Sequence, residues 1–409
     1  MVILIVEPNS QIKKVNDLID NILPALIDIR RDLHQHPELG FEEHRTSSIV
    51  SDWLEQNDIE VQKGIAKTGV VGLLKGKSGG KTVALRADMD ALPITEESGA
   101  PYSSVNPGIA HSCGHDGHTT ILMGTAKILS QLRDNFSGNV KFVFQPAEEG
   151  GGGGDIMCQE GVLENPKVNS IFALHDWPDL RVGEVGLQYG PSMASSNRFE
   201  LTLYGKGGHA ARPNLAVDPI VLAAKVVNDF QTIVSRQVNP LSPAVITIGT
   251  INGGNAANVI PESVTMLGTI RSFDENTKNL MMTSMKTIAD SHSKMVGAPP
   301  PKLEFNKGYP VTVNNNDMVD VIAKVSKNIV GEDNTKVITE PSMGAEDFSF
   351  FLQQIPGAMF RIGIASLDGS KSPALHNPKF NFNDESLPSG ISMMSGVVLE
   401  YLSTSVIKN

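Results

Sequence analysis

Six consecutive residues, Cys113-Gly114-His115-Asp116-Gly117-His118, bring a thiol, two imidazoles and a carboxylate together ahead of an apolar helical pattern. Borderline-soft divalent cations take those donor types, and catalytic metal sites keep one position open for water. More donors end apolar runs elsewhere: Asp88 and Asp90 in VALRADMDALP, Glu148 and Glu149 in FVFQPAEEGGGGG, His175 in IFALHDWP and His376 in PALHNP. For any one of these a bland role is commoner, since a lone cysteine usually packs as a small hydrophobe. The set together favours metal binding.

Each motif has a chemical reading and a competitor. Cys113 and His115, two apart on an irregular loop, can reach one ion or two adjacent ions. Asp116 is open between a site carboxylate and the N-cap of the helix that follows. Glu148 and Glu149 point opposite ways if the chain there is extended. One can then hold an ion while its neighbour takes a proton from water; an exposed acidic turn is the alternative. Asp88 or Asp90 can orient a ligating histidine through its second nitrogen. The run Gly150–Gly154 lacks the Lys-Ser/Thr of a phosphate loop and the spacing of a dinucleotide fingerprint, which argues against nucleotide. His209 in YGKGGHAARP is either a surface histidine or an electrophile for a carbonyl oxygen. Asn255, Asn258 and Arg271 can each hold a substrate carboxylate.

The elements that must position these groups follow from periodicity. Helical spacing covers 16–35, with Pro24 kinking or restarting it, and a second helix covers 43–56. Residues 69–76 and 82–88 read as buried strands, and strand patterns recur at 139–145 and 170–175. An amphipathic helix holding Ile121, Leu122, Thr125, Ile128, Leu129 and Leu132 follows the Cys-His cluster. Alternating strands and helices imply an α/β fold with a mostly parallel sheet, whose functional groups gather beyond the carboxyl ends of the strands. Near residue 190 the texture changes to a compact β-α-β-β-α pattern, which reads as a second domain inserted into the first.

At 409 residues the chain is long enough for two domains, and a composition 40% apolar and 19% charged supplies ordinary cores. A net charge of -11 argues against nucleic acid and anionic membranes as partners. Two cysteines, no signal-peptide pattern and no apolar run of the ~18–20 residues a spanning helix needs predict a cytoplasmic protein.

Ten segments, in order from about residue 30 to 385, resemble the amidohydrolase branch of the M20 metallopeptidases, among them ALRADMDALPI, HSCGHDGHTT, QPAEEGGGG, GKGGHAARP, GGNAANVIPE and MGAEDFSFF. The branch includes hippurate hydrolases, N-acyl-amino-acid amidohydrolases and plant auxin-conjugate hydrolases. The resemblance implies a zinc-peptidase-type catalytic domain from 1–191 and 307–409, with a lid and dimerisation domain at 192–306. It implies two divalent ions (manganese, zinc, cobalt or nickel) held by Cys113, His115, Glu149, His175 and His376, with Cys113 as the bridge. Glu148 corresponds to the general base, Asp90 to a supporting carboxylate and His209 to the lid histidine that stabilises the oxyanion. Asn258 and Arg271 fall where the family binds a substrate carboxylate. The peptidase branches carry histidine and aspartate where this chain has Asp88 and Cys113, and His115 compensates as a ligand. The implied activity is hydrolysis of N-acyl amino acids by a homodimer or homotetramer. An aminopeptidase or dipeptidase, and a silent metal-binding scaffold, are the rivals.

Overall fold

The computed structural model describes residues 10–403 except Gly369 and Lys371. The chain forms two compact units. One comprises Met1–Gly190, Val313–Glu340 and Asp347–Asn409; the other comprises Pro191–Thr312 and Pro341–Glu346. No helix among the described residues is long and apolar enough to cross a membrane.

The larger unit is built on an eight-stranded sheet. Its order is Glu60–Ile65, Gly69–Lys75, Asn139–Gln145, Thr82–Asp88, Ser170–Arg181, Gly357–Ala365, Val185–Leu187 and Thr335–Val337. The four central strands run parallel. Every residue of Thr82–Asp88 is buried, as expected of a parallel strand covered on both faces. Register aligns the carboxyl ends: Asp88 lies opposite Gln145, and Arg86 opposite Ala173. Asp88, Glu148 and His175 thus emerge at one edge, because three apolar runs stop at about the same height.

One expectation about helices is narrowed and another corrected. Ser10–Gln35 is one helix running through Pro24, so the proline does not restart it. An interior proline costs roughly 3 kcal/mol, and the buried Val15, Ile19, Leu26 and Leu33 anchor the helix on both sides of it. The helix His115–Gln131 is not amphipathic in place. Its residues from His115 to Leu129 are buried apart from Lys127, because it packs between the sheet and the helices Ser10–Gln35 and Leu387–Ser403. A helix covered on all sides presents its first turn to the protein interior, and that turn carries His115 and His118.

The smaller unit has a four-stranded antiparallel sheet in the order Ala244–Asn252, Ser263–Ser272, Ser195–Tyr204 and Lys302–Phe305. Helices Pro219–Thr232 and Glu275–Met295, N-capped by Asp218 and Asp274, supply the rest of a core built on Phe199, Leu201, Phe230, Met266 and Met281.

Candidate metal centre

Gly114 makes the approach to the site possible. It is left-handed, with φ 77°, and a Cβ on it would lie 2.4 Å from Asp176 Oδ1. Only glycine meets both demands. The N-cap position is Gly114, so Asp116 is not the cap; it lies inside the first turn. Cys113 Sγ lies 3.7 Å from His175 Nε2, and both residues are buried.

The imidazoles are oriented through one nitrogen each. His175 Nδ1 lies 2.8 Å from the Asp176 carbonyl oxygen, which fixes the proton on Nδ1 and leaves the Nε2 lone pair facing the thiol. His115 Nδ1 lies 3.3 Å from Asp90 Oδ1, while its buried Nε2, 3.8 Å from Asp88 Oδ2, has no hydrogen-bond partner among the described residues. His376 Nε2 lies 3.0 Å from Glu149 Oε1. His376 is itself left-handed, with φ 64°, and its N–H donates to the Ser112 carbonyl at 2.7 Å.

These donors fall into overlapping groups whose atoms lie within 4.8 Å of one another: Cys113, His115 and His175; Cys113, Glu149 and His376; and His115, Glu148 and Glu149. Cys113 belongs to two of them, so its thiolate can bridge two ions. An orphaned buried nitrogen, a thiol and an acidic pair are what divalent cations need. His118 also falls in two such groups, but its nitrogens are already engaged, Nδ1 2.7 Å from Asp88 Oδ1 and Nε2 2.9 Å from Asp176 Oδ1. It therefore holds the wall of the site.

The protein's own charges make the electrostatics lopsided. Burial, then the charges of Glu149, Asp176, Glu148 and Asp88, pushes the Cys113 thiol well above its ordinary range. Burial alone would lower His115, yet Asp88 and Asp90 outweigh it and raise His115 well above the usual imidazole value. Burial opposes ionisation of Glu149, but His376 and His115 bring it below the usual carboxylate range. A bound divalent ion reverses the thiol's preference, since a coordinating thiol is deprotonated outright.

Sequence reasoning named Asp90 as a supporting carboxylate and missed the other buried supports. Asp90 accepts the N–H of Glu148 at 3.0 Å and that of Glu149 at 2.9 Å. Asp347, fully buried, accepts from Arg86 at 3.1 Å, Gln145 at 2.7 Å and the N–H of Gly154 at 2.8 Å. Its own N–H donates to Glu148 Oε1 at 3.4 Å. Behind the centre, Asp116 Oδ2 lies 2.7 Å from His34 Nδ1 and 3.4 Å from Arg30. The available signal was the charged residue inside each apolar run: Arg30, His34 and Arg86.

Cys113, His115, Glu148, Glu149, His175, His376 and Asp90 are thus brought together in the larger unit. His209, Asn258 and Arg271 belong to the smaller one. There, exposed His209 pairs with Val259 across a short ladder, and the carbonyl of Asn258 accepts the N–H of Ala210 at 3.1 Å. Half-buried Arg271 lies in the strand Ser263–Ser272, its pKa lowered by burial and by Arg198.

Comparison with known proteins gives concordant matches. The model of peptidase family M20/M25/M40 matches residues 84–400. IAA-amino acid hydrolase ILR1-like 4 of Arabidopsis thaliana is 41% identical over 394 residues, covering 95% of this chain and 87% of that protein. The N-acetyl-L-cysteine deacetylase of Bacillus subtilis is 38% identical over 363 residues, covering 88% and 84%. Among solved structures, the Bacillus subtilis YXEP protein, a dinuclear metal-binding peptidase of the M20 family, superposes with a TM-score of 0.82 at 33% identity, covering 94% and 99%.

Proposed function

The chain belongs to peptidase family M20/M25/M40 and is a metal-dependent hydrolase, and on that premise we propose that it cleaves the linear amide of N-acyl amino acids, giving a carboxylate and a free amino acid. The observation that carries this reading is the pair of donor groups sharing Cys113, with Glu148 beside them. The names of two relatives, an IAA-amino acid hydrolase and an N-acetyl-L-cysteine deacetylase, point to N-acylated amino acids as the substrate class.

In this reading Cys113, His115 and His175 would hold one ion, and Cys113, Glu149 and His376 would hold the other. Manganese, zinc, cobalt and nickel all accept such a donor set. Divalent ions there supply Lewis acidity, polarising the amide carbonyl and acidifying water. Glu148 takes the proton of the attacking water and passes it to the leaving amine. Asp90 holds Glu148 in place through its backbone N–H. His209 donates to the developing oxyanion, and Asn258 and Arg271 hold the substrate's carboxylate.

The test is amino-acid release from N-acetyl, benzoyl and indole-acetyl amino acids, with dipeptides alongside, using chelated protein reloaded with each metal. Metal-dependent release from the N-acyl compounds is the expected result. Release from dipeptides alone would transfer the centre to peptidase work, and none at all with metal bound would leave a silent scaffold.

A further inference from the structure

Among the described residues three arginines are buried, and two have carboxylates against them. Arg30 meets Asp384 at 2.7 Å and Asp116 at 3.4 Å. Arg86 meets Asp88 at 2.7 Å and Asp347 at 3.1 Å. Arg361, only 6% exposed, has no carboxylate oxygen of the described residues within 4.0 Å. Its contacts are the Trp177 ring, whose centroid lies 3.9 Å from Cζ, and Gln188 Oε1, 3.1 Å from Nη2. Burying a charge is unfavourable unless it is paired. Burial accordingly pushes the Arg361 pKa down to about 10, against support from Asp179 alone.

Register says where this cation lies. Arg361 is the partner of His175 on the neighbouring parallel strand, and Trp177 follows His175 by two residues. Residues in register on adjacent strands share a face, as do residues two apart on one strand. Arg361 therefore stands on the face that carries His175, opposite the core-facing Phe360 and Ile362. The Trp177 and His175 ring centroids are 6.4 Å apart, so one indole separates the guanidinium from a donor of the metal centre. On the other side is Gly186, where a Cβ would come within 3.2 Å of Arg361 Cβ.

We propose that Arg361, stacked on Trp177 and flanked by Gln188, binds a second carboxylate of the substrate, so that the preferred N-acyl amino acids carry an acidic group besides the α-carboxylate. This rests on the amidohydrolase reading of the adjoining centre. A planar guanidinium presents paired N–H donors that match a carboxylate, and an aromatic face beneath pre-organises it. The acid can come from an acidic amino-acid side chain or from a dicarboxylic acyl group.

Two matched pairs distinguish these sources: N-acetyl-glutamate against N-acetyl-glutamine, and N-succinyl-alanine against its terminal amide. In one pair the acid is expected to exceed its amide in kcat/KM by roughly tenfold or more, because the neutral partner leaves a buried cation unpaired. That pair names the source. Arg361→Gln should bring the ratio to about one, and Arg361→Lys, which keeps the charge and loses the fork, should retain part of it. Equal rates within both pairs, or a preference that survives Arg361→Gln, would overturn the proposal. A readout independent of turnover is Trp177 emission in a Trp53→Phe background, titrated with succinate on metal-loaded protein. A saturable change that Arg361→Gln abolishes supports carboxylate binding at Arg361 even if no N-acyl compound is hydrolysed, in which case only the amidohydrolase reading fails. No Arg361-dependent change would overturn that binding while leaving the amidohydrolase reading intact.

Discussion

Asp90 Oδ1 accepts the backbone N–H of Glu148 at 3.0 Å, so a side chain beyond one strand grips the main chain beyond another. Its second oxygen takes Glu149 in the same way, at 2.9 Å. An amide at position 90 has one acceptor where the carboxylate has two. Asp90→Asn should therefore loosen the acidic pair and lower kcat by about 10–100-fold, the usual effect of losing such a supporting group. Kinetics set beside metal analysis of the same sample check this; unchanged kcat would make Asp90 a bystander.

Glu148→Gln removes the proposed proton carrier and keeps the side chain's shape. Turnover should fall by roughly 10²–10⁴-fold, with metal content as in the parent. Near-normal activity would remove Glu148 as the base.

Cys113 belongs to two donor groups, so its replacement should affect two ions at once. Cys113→Ser should lower metal stoichiometry towards zero in dialysed protein, measured by elemental analysis. Full occupancy would return Cys113 to a packing role.

His209 lies in the smaller unit, apart from the donor groups that share Cys113. His209→Ala should lower kcat by about 10²–10³-fold, the range for loss of one oxyanion donor, and leave metal loading unchanged. Lost metal would contradict the role proposed for it.

A pH dependence follows from the pair His34 and Asp116. Burial would lower His34, but Asp116 and Glu96 raise it to about 9, while His34 and Arg30 hold Asp116 below the usual carboxylate range. A raised histidine contributes stability that is complete below its unfolded value of ~6.5 and lost as pH climbs towards the folded value. The unfolding free energy of the parent, from denaturant titration, should exceed that of His34→Gln most below about pH 6.5, and the difference should shrink by on the order of 3 kcal/mol by about pH 9. A gap independent of pH would mean that the pair is held by packing alone.

Much of this centre was legible because donor chemistry is written in residue types. A thiol, imidazoles and carboxylates at the ends of apolar runs announce a metal site before any fold is known, and buried strands such as Thr82–Asp88 announce themselves by lacking polar residues. The supports other than Asp90 were not legible. Arg86 and Asp347 are 261 residues apart, and Arg30 and Asp116 are 86 apart, so nothing local pairs them. Residue type alone also does not reveal that His118, in the middle of the motif, is engaged by two carboxylates. Pro24 is a similar case, since core packing on both sides carries the helix through a residue that local propensity would place at its end.

The raised thiol of Cys113 and the raised imidazole of His115 keep their protons where no cation competes for them. Each ion that enters must displace them, so loading acidifies the medium and an acidic medium unloads the protein. Affinity for every candidate metal should thus steepen with rising pH, as an exchange of one kind of cation for another.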